Sequence, residues 1–176
     1  MKKLILALTI TVVAFSVKAQ DKTTSPAKKT SFEIGANIGT GLSDGTKLGV
    51  GADLQADINM GNSLKFTLSG GYENVSYKAK NISGVVYPEG NTNFIPVLAG
   101  LKYYFSPKVY GHGQAGYSFS TTKNGGGAFS FAPSLGFLVG NNFDIAVKYV
   151  NIGKSNGQKF YGGSIGLAEL RLAYNF

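Results

Sequence analysis

The segment LRLAYNF, from Leu170 to Phe176, constrains the fold more than any other part of the chain. Apolar and other residues alternate strictly along it, and a period of two is typical of a β-strand with two different faces. The segment closes on Phe176, an aromatic side chain that needs an apolar environment outside the strand. We therefore expect a strand with one face toward lipid, as in a membrane β-barrel.

The first residues predict export. Lys2 and Lys3 precede an apolar run from Leu4 to Val17. A run shorter than the about 20 apolar residues of a spanning helix is typical of a secretory signal peptide, which enters the Sec pathway. We expect cleavage between Ala19 and Gln20, a flexible periplasmic tail over residues 20–31 and one folded domain over residues 32–176.

Composition restricts the partners of the exported chain. It has no cysteine, which excludes disulfide bonds and a lipid anchor on cysteine. Loss of Lys2, Lys3 and Lys18 with the signal lowers the 17 basic residues to 14 against 9 acidic residues, a formal net charge of +5. Because the lysines are dispersed and the chain is exported, we expect no nucleic-acid partner. An anionic membrane surface is the better partner, which in this setting means outer-membrane lipids and lipopolysaccharide.

The domain divides into eight strand-like segments. They cover residues 32–41, 47–58, 64–77, 93–105, 108–120, 128–139, 143–152 and 160–176. The second, fourth and sixth connections are short, whereas the third, fifth and seventh are longer. Short turns on the periplasmic side and longer loops outside are typical of bacterial barrels. The sequence therefore predicts an all-β fold, an eight-stranded antiparallel up-and-down transmembrane β-barrel.

The two faces of the strands indicate which side meets lipid. Leu48, Val50 and Leu54 share one face of the second segment, and glycines and charged residues occupy the other. A soluble barrel also alternates, but the second face holds no large apolar set. We therefore expect a narrow polar lumen, with the apolar face toward lipid.

Aromatic residues mark both ends of the segments, as expected for interfacial girdles. The band at the periplasmic end comprises Phe32, Tyr103, Tyr104, Phe105, Phe143, Tyr174 and Phe176. The opposite band comprises Tyr72, Tyr77, Phe94, Tyr117, Phe119, Phe129, Phe131, Phe160 and Tyr161.

Two local features conflict with regular strands. Pro96 and Pro133 lie inside segments and each lacks the N–H that a ladder requires, so we expect bulges or strand ends there. In the last segment, Ile165 and Leu167 have the opposite parity to Leu170, which predicts a bulge near Ala168.

With the signal ending at Ala19-Gln20, the segment NFIPVLAGLKYYF from Asn93 to Phe105 and the terminal LRLAYNF, the chain resembles the small outer-membrane β-barrel family of Gram-negative bacteria. It looks most like the porin-like outer membrane beta-barrel domain proteins common in Bacteroidota. The resemblance covers the whole exported chain and implies an outer-membrane location. It also implies that the last strand is read by the barrel-assembly machinery, a role that falls on Leu170, Leu172, Tyr174 and Phe176.

The inward face carries charges of both signs. By parity, the inward set comprises Glu33, Asp53, Asp57, Lys65, Lys102, His112, Asp144, Lys148, Glu169 and Arg171. An eight-stranded barrel is just wide enough for side chains to fill, and buried charges need partners. We expect ion pairs that plug the interior; the alternative is a network that gates a small conductance.

Motifs for catalysis are weak. The run from Gly111 to Gly116 matches the spacing G-x-G-x-x-G, but no helix follows it, so no dinucleotide site is expected. His112 is the only histidine and cannot build a multi-histidine metal site. We therefore expect no enzyme activity, cofactor or metal.

The loops offer a different function. Lysines in or beside them, set against Asp44 and Glu89, could contact phosphates of the outer leaflet or remain solvated; these are Lys47, Lys78, Lys80, Lys123, Lys154 and Lys159. In the longest loop, the apolar Val85-Val86-Tyr87 is either a partner-binding patch or a hairpin extension.

Three classes of function remain open at this stage. A monomeric structural or porin-like barrel with a largely plugged polar lumen leads. The alternative is a surface adhesin or recognition barrel that acts through its loops, and the third class is a soluble periplasmic ligand-binding barrel.

Overall fold

The structure is a computed structural model that describes residues 30–82, 85–122, 126–154 and 164–176. The predicted signal peptide, with its expected cleavage between Ala19 and Gln20, lies outside the described residues, as do Lys123, Lys159, Phe160 and Tyr161. Within these ranges, no helix is long and apolar enough to cross a membrane.

The described chain consists of antiparallel strands. In chain order they are β1 Thr30–Gly41, β2 Thr46–Asn59, β3 Leu64–Tyr77, β4 Lys80–Ile82, β5 Val85–Tyr87, β6 Gly90–Tyr104, β7 Val109–Ser120, β8 Gly127–Val139, β9 Phe143–Ile152 and β10 Ile165–Asn175. Eight of them close into a barrel in the order β1-β10-β9-β8-β7-β6-β3-β2, and β4 and β5 form a separate hairpin. The predicted eight-stranded barrel is confirmed, and the longest loop contains a hairpin extension.

The barrel closes where its first and last strands meet. β1 pairs with β10 from Glu33 opposite Asn175 to Gly41 opposite Leu167 without a shift in register. Beyond the ladder, the Phe176 N–H donates to the Phe32 carbonyl over 2.9 Å. The two ends of the barrel chain therefore lie together at one end of the barrel, which we call the termini end; the opposite end is the loop end.

Turns at the two ends differ in length. At the termini end the connections are residues 60–63, 105–108 and 140–142, and Gly140 has φ of +64°, a conformation that favours glycine. The loop end carries the β4–β5 hairpin and the longer connections, except that residues 42–45 between β1 and β2 match the short turns in length. This asymmetry is the one that the sequence predicts.

Side chains alternate between the lumen and the outer wall. On β6, Val97 and Leu101 are 45% and 50% exposed on the outer wall, whereas Lys102 is fully buried inside. The outer wall is apolar on every barrel strand, and a folded chain in water would not leave such a belt uncovered.

The expectation about Pro96 and Pro133 is wrong, because neither residue sits at a bulge or a strand end. Pro96 pairs with Ser118 on β7. On its other side, Pro96 and Ile95 have no partner in the β3–β6 ladder, which continues beyond them in the same register. Pro133 pairs with Gly113 on β7, and the β8–β9 ladder is interrupted beside it in the same way. Since a strand residue points its N–H toward only one neighbour, proline interrupts one ladder and leaves the other intact.

The predicted bulge near Ala168 is also absent, since β10 pairs continuously with β1 and β9. Ile165 and Leu167 point into the lumen, where they are 5% and 0% exposed. They belong to an apolar layer that fills the loop end of the lumen; its members are Val75, Phe94, Leu98, Ala128, Ala132, Val150, Ile152, Ile165 and Leu167. The expectation of a lumen without a large apolar set is therefore wrong for this half of the barrel.

The aromatic bands are present on the outer wall with three corrections, the first of which is that Tyr77 packs against the apolar layer inside the barrel. Near the termini end, Tyr103, Phe105 and Phe143 are 50%, 63% and 50% exposed. Near the loop end, Phe119 and Phe129 are 49% and 59% exposed. Phe94 instead belongs to the apolar layer. Tyr104 points inward, with its ring 5.5 Å from that of Tyr110.

Candidate functional site

A buried lysine lies at the centre of the polar half of the lumen. The Lys102 Nζ is 2.7 Å from Glu33 Oε1 and 2.9 Å from Asp57 Oδ2, and all three side chains are excluded from solvent. Lys102 is on β6, whereas Glu33 and Asp57 are on β1 and β2, so the contacts pass inside the lumen over the strands that lie between them. Charges this deeply buried need such partners, because removing one leaves an uncompensated ion.

Arg171 extends the cluster toward the middle of the barrel. Its Nη1 donates to Glu33 Oε2 over 3.0 Å, and its Nη2 and Nε donate to Asp53 over 2.7 and 3.1 Å. The forked geometry of the guanidinium permits this double contact with one carboxylate. Three acidic residues on β1 and β2 are thus tied to Lys102 and Arg171.

Neutral side chains complete the hydrogen bonding around the ions. The Gln55 amide donates to Asp57 over 2.7 Å, and Gln114 donates to Ser69 over 2.8 Å. His112 Nε2 is 2.8 Å from the Thr67 hydroxyl. The lone histidine therefore lies in a hydrogen-bond network within the lumen rather than in an ion pair.

A tyrosine holds the acidic residue nearest the termini end. The Tyr110 hydroxyl donates to Asp144 Oδ1 over 2.6 Å, and both side chains are almost fully buried. The Lys102 ammonium lies 4.8 Å from the Tyr110 ring centroid, a cation–π distance. Asp144 was expected in an ion pair, but its partner is a neutral phenol.

Beneath the apolar layer lies a second ionic group that includes a residue missed from the sequence. Lys148 Nζ is 3.1 Å from Glu169 Oε2, and Glu73 lies close enough to Glu169 for their charges to interact. Glu73 is 6% exposed and has the same parity as Lys65 on β3, so the alternation that placed Lys65 in the lumen also identifies Glu73.

Glycines make room for the largest of these side chains. A Cβ at Gly35 would lie 2.8 Å from Arg171 Nε. A Cβ at Gly136 would lie 2.5 Å from Tyr110 Cε1 and even closer to Tyr110 Cζ and the hydroxyl oxygen. Both distances are shorter than real contacts, so the space filled by Arg171 and Tyr110 exists because the facing residues lack side chains. The abundance of glycine in the chain has this steric cause in the lumen.

All ten charged or titratable residues assigned to the lumen by parity have inward side chains, and ion pairs join all of them except His112 and Asp144 into two groups. The larger group contains Glu33, Asp53, Asp57, Lys65, Lys102 and Arg171, with Lys65 Nζ 3.5 Å from Asp57 Oδ2. The smaller group contains Lys148 and Glu169, and Lys148 also reaches Asn37 of β1 over 3.4 Å. Among the described residues, no group of three or more histidine, cysteine or acidic side chains could hold a metal ion.

Two cavities lie at opposite ends of the barrel. The mouth cavity, at the termini end, has a volume of about 560 Å³ and is lined by Asn62, Ser63, Lys65, Tyr104, Phe105, Ser106, Pro107 and Leu138. The loop cavity has a volume of about 270 Å³ and is lined by residues 41–46 with Lys78 and Ala79.

The residues of the proposed assembly signal share the outer wall of β10. Leu170 and Leu172 are 50% and 52% exposed, and Phe176 is 74% exposed beyond the strand. The Tyr174 and Phe176 rings lie 5.1 Å apart at their centroids. The structure therefore presents the four residues together on one side of the last strand.

The fold is similar to that of known membrane barrels. The backbone structure of the Yersinia pestis outer membrane protein Ail in a phospholipid bilayer nanodisc matches with a TM-score of 0.55 at 17% identity, covering 84% of this chain and 100% of that chain. The crystal structure of Ail, the attachment invasion locus protein, in complex with the heparin analogue sucrose octasulfate matches with a TM-score of 0.52 at 18% identity, covering 84% and 97%. A de novo designed transmembrane β-barrel matches with a TM-score of 0.51 at 15% identity, covering 83% and 95%.

Sequence comparisons add no family. No protein-family profile matches the chain, and no curated protein sequence matches it. At these identities the structural matches show the fold, that of outer-membrane β-barrels, and nothing in them supports the finer resemblance to Bacteroidota proteins.

Proposed function

We propose that this protein is an integral outer-membrane barrel whose lumen is blocked, so that it acts through its exposed ends rather than as a diffusion pore. The observation that carries this proposal is the fully buried Lys102, held between Glu33 and Asp57 across the lumen. An open aqueous channel would leave such an ammonium exposed to water.

The apolar outer wall supports the proposal that the barrel lies in a membrane. On β9 the exposed side chains are Phe143, Ile145 and Val147. On β3 the apolar outer residues end near Asn74, whose side chain donates a hydrogen bond to Asn93 of β6. Strands of 10–15 residues match the length of a tilted crossing. We place the termini end in the periplasm, because its turns are the short ones.

Two different layers support a blocked lumen. The ionic groups fill the termini half, and the apolar layer fills the loop half with Phe94 and Leu167 at no exposure. An ion that crossed would have to displace bonded charges and then pass an apolar plug, and each step carries a desolvation penalty. The blocked lumen is consistent with the filled interior of other eight-stranded barrels.

Export and assembly belong to the same proposal. A signal cleaved between Ala19 and Gln20 would deliver the chain to the periplasm, and the outer face of Leu170, Leu172, Tyr174 and Phe176 would dock on the barrel-assembly machinery. Deleting Phe176 from the chain should then lower the folded amount in outer-membrane fractions, while substitution by tyrosine should preserve it.

Electrophoretic mobility tests the membrane proposal. Outer-membrane fractions extracted in detergent should give a faster band without boiling and a slower band after boiling, because the closed barrel survives detergent. A single unshifted band from the soluble fraction would overturn the proposal and favour the soluble periplasmic barrel.

A second candidate function is recognition of an anionic surface at the loop end. Lys47, Lys78 and Lys154 are exposed there, and a register shift between Thr46 and Leu48 places Lys47 and Leu48 together on the outside. The exposed acidic residues at this end are Asp44 and Glu89 among those described. The comparison protein Ail was crystallised with a sulfated sugar, which suggests the class of probe.

Sucrose octasulfate distinguishes the two candidates. The recognition barrel should bind it with an affinity that falls with salt, and changing Lys47, Lys78 and Lys154 together to glutamine should abolish binding without altering the heat-shifted band. Changing Lys108, an exposed lysine at the termini end, to glutamine is the matched control. If the wild-type protein does not bind sucrose octasulfate, the recognition function is contradicted and only the structural role remains.

A further inference from the structure

We propose that the mouth cavity binds a phosphate-type oxyanion at the termini end of the barrel. The ligand is the phosphate of a phospholipid headgroup or a free phosphate, which share the same chemistry. Among the described residues, Lys65 is the only charged one that lines this cavity of about 560 Å³.

The Lys65 ammonium has donors to spare. Its Nζ lies 3.5 Å from Asp57 Oδ2, at the limit of a hydrogen bond, and the side chain is 19% exposed. The same carboxylate already receives Lys102 at 2.9 Å and the Gln55 amide at 2.7 Å. Since an ammonium has three donors, Lys65 can contact a ligand in the cavity without giving up its place beside Asp57.

The neutral lining provides further donors. Asn62 carries an amide, and Ser63 and Ser106 carry hydroxyls. The Ser106 oxygen already accepts the N–H groups of Val109 at 3.1 Å and Lys108 at 3.4 Å, which leaves its hydroxyl hydrogen to donate elsewhere. A phosphate, with several strong acceptor oxygens, matches a lysine surrounded by amide and hydroxyl donors.

The charge distribution at this end favours an anion. Glu33, Asp57 and Asp144, the described acidic residues nearest the termini end, are 1%, 0% and 0% exposed and already bonded inside the barrel. Among the described side chains of this rim, Lys108 is an exposed cation and Lys65 is a partly exposed one. An approaching anion therefore meets cations first, while the Asp57 carboxylate behind Lys65 is compensated by Lys102.

The aromatic side of the cavity links it to the membrane boundary. The Lys65 Nζ lies 5.3 Å from the Tyr104 ring centroid, and the neighbouring Phe105 is 63% exposed on the outer wall. Under the orientation given under Proposed function, this rim lies at the inner leaflet and opens to the periplasm. A phospholipid headgroup and a soluble phosphate can both reach it, so the experiment has an arm for each.

The test follows backbone amide resonances of Ser63, Tyr104 and Ser106 in isotope-labelled full-length protein refolded in phosphate-free octyl glucoside micelles. One arm titrates inorganic phosphate, and the other titrates dihexanoyl phosphatidylglycerol. Saturable shifts with inorganic phosphate support a site for the free ion, and shifts with the lipid alone support a headgroup site. No saturable shift with either probe in the folded wild-type protein overturns the proposal.

Variants identify the donor. Lys65→Gln should weaken binding about tenfold, as expected when a charge-assisted hydrogen bond of about 1.5 kcal/mol is lost. Lys108→Gln, in the same rim but outside the cavity lining, should keep the affinity of the wild-type protein within about twofold. Binding that is equal in Lys65→Gln and the wild-type protein contradicts the assignment.

A second variant guards against misfolding. If Lys65→Gln does not give the heat-shifted band, Asn62→Ala changes the lining without removing a charge from the ionic group and should still weaken binding. The result is independent of whether the lumen conducts, because phosphate binding at the rim and ion flow through the barrel are measured separately.

Discussion

Lys102 and Glu33 lie on strands that are not neighbours in the barrel, yet the Lys102 Nζ is 2.7 Å from the Glu33 Oε1 and neither side chain meets solvent. The contact bridges the lumen rather than a ladder. Shorter bridges, each over one intervening strand, join Arg171 of β10 to Asp53 of β2 and Tyr110 of β7 to Asp144 of β9. The interior is thus cross-linked by side chains, which explains how the charges are accommodated and supports the proposal of a blocked lumen.

Removal of Lys102 should destabilise the barrel strongly. Lys102→Met leaves Asp57 with the distant Lys65 and Gln55, so the free energy of unfolding should fall by about 3–5 kcal/mol. Urea titration of the refolded protein, followed by the gel shift, measures the change. The triple variant Lys102→Met, Glu33→Gln and Asp57→Asn should recover part of the loss, because the two buried carboxylates that Lys102 compensates are then neutral.

The two single variants of the same pair provide a coupling energy. Lys102→Met and Glu33→Gln, made separately and together, should differ from additivity by about 0.5–3 kcal/mol. Additive effects would show that the 2.7 Å contact between their side chains contributes nothing to stability.

Substitution of Arg171 should lower the free energy of unfolding as much as substitution of Lys102. Arg171→Ala removes the only ion pair of Asp53 in the described network and one of the two of Glu33, so we expect a loss of about 3–5 kcal/mol or a new conductance. Arg171→Lys should recover part of the stability but not the double contact with Asp53. Unchanged stability together with unchanged conductance in Arg171→Ala would remove Arg171 from its assigned role.

A methyl group placed opposite Tyr110 should disturb the lumen. Gly136→Ala brings a Cβ into the Tyr110 ring, so the free energy of unfolding should fall by about 1–3 kcal/mol. Gly113→Ala is the matched control on the neighbouring strand β7, because a Cβ there meets no atom within 4 Å. Equal stability of the two variants would mean that Tyr110 does not fill the space left by Gly136.

A charged residue placed at the middle of the outer wall tests whether this wall faces lipid. Val147 is 65% exposed halfway along β9, and Val147→Arg in a bilayer should lower the free energy of unfolding by about 2–4 kcal/mol. Thr40→Arg, on the outer face of β1 at its loop end, should lower it by at most about 1 kcal/mol. A similar small effect at both positions would show that Val147 does not face lipid.

The fold could be predicted from the sequence because the alternation of side chains and the lengths of the turns are local signals. Strand bounds agree within a few residues, and β9 is placed at residues 143–152 in both. Closure of β1 on β10 follows from an even number of strands with an apolar outer face on each.

The position along the barrel at which the lumen changes from polar to apolar could not be predicted in the same way. Ile165 and Leu167 are apolar on the inner face, while Leu170 and Leu172 are apolar on the outer face of the same strand. Read as one face, this change of parity suggests a bulge; the actual cause is an apolar layer contributed by several strands. The sequence pattern also assigns Phe94 to the outer aromatic band, because membership of the apolar layer inside the barrel depends on residues that are distant in the chain.

Partners within the lumen could not be predicted individually. Parity places Lys102, Glu33 and Arg171 inside, but which carboxylate meets which cation depends on strand stagger and on space left by residues such as Gly35. Glu73 was within reach of the sequence, because it shares the parity of Lys65 on β3.

Planar-bilayer conductance of the purified full-length barrel tests the blocked lumen most directly. We expect the wild-type protein, shown to be folded by its heat-shifted band, to give no steady conductance above that of the lipid alone. Reproducible steps of conductance from the folded wild-type protein would contradict the blocked lumen, since Lys102 could not then be sealed between Glu33 and Asp57.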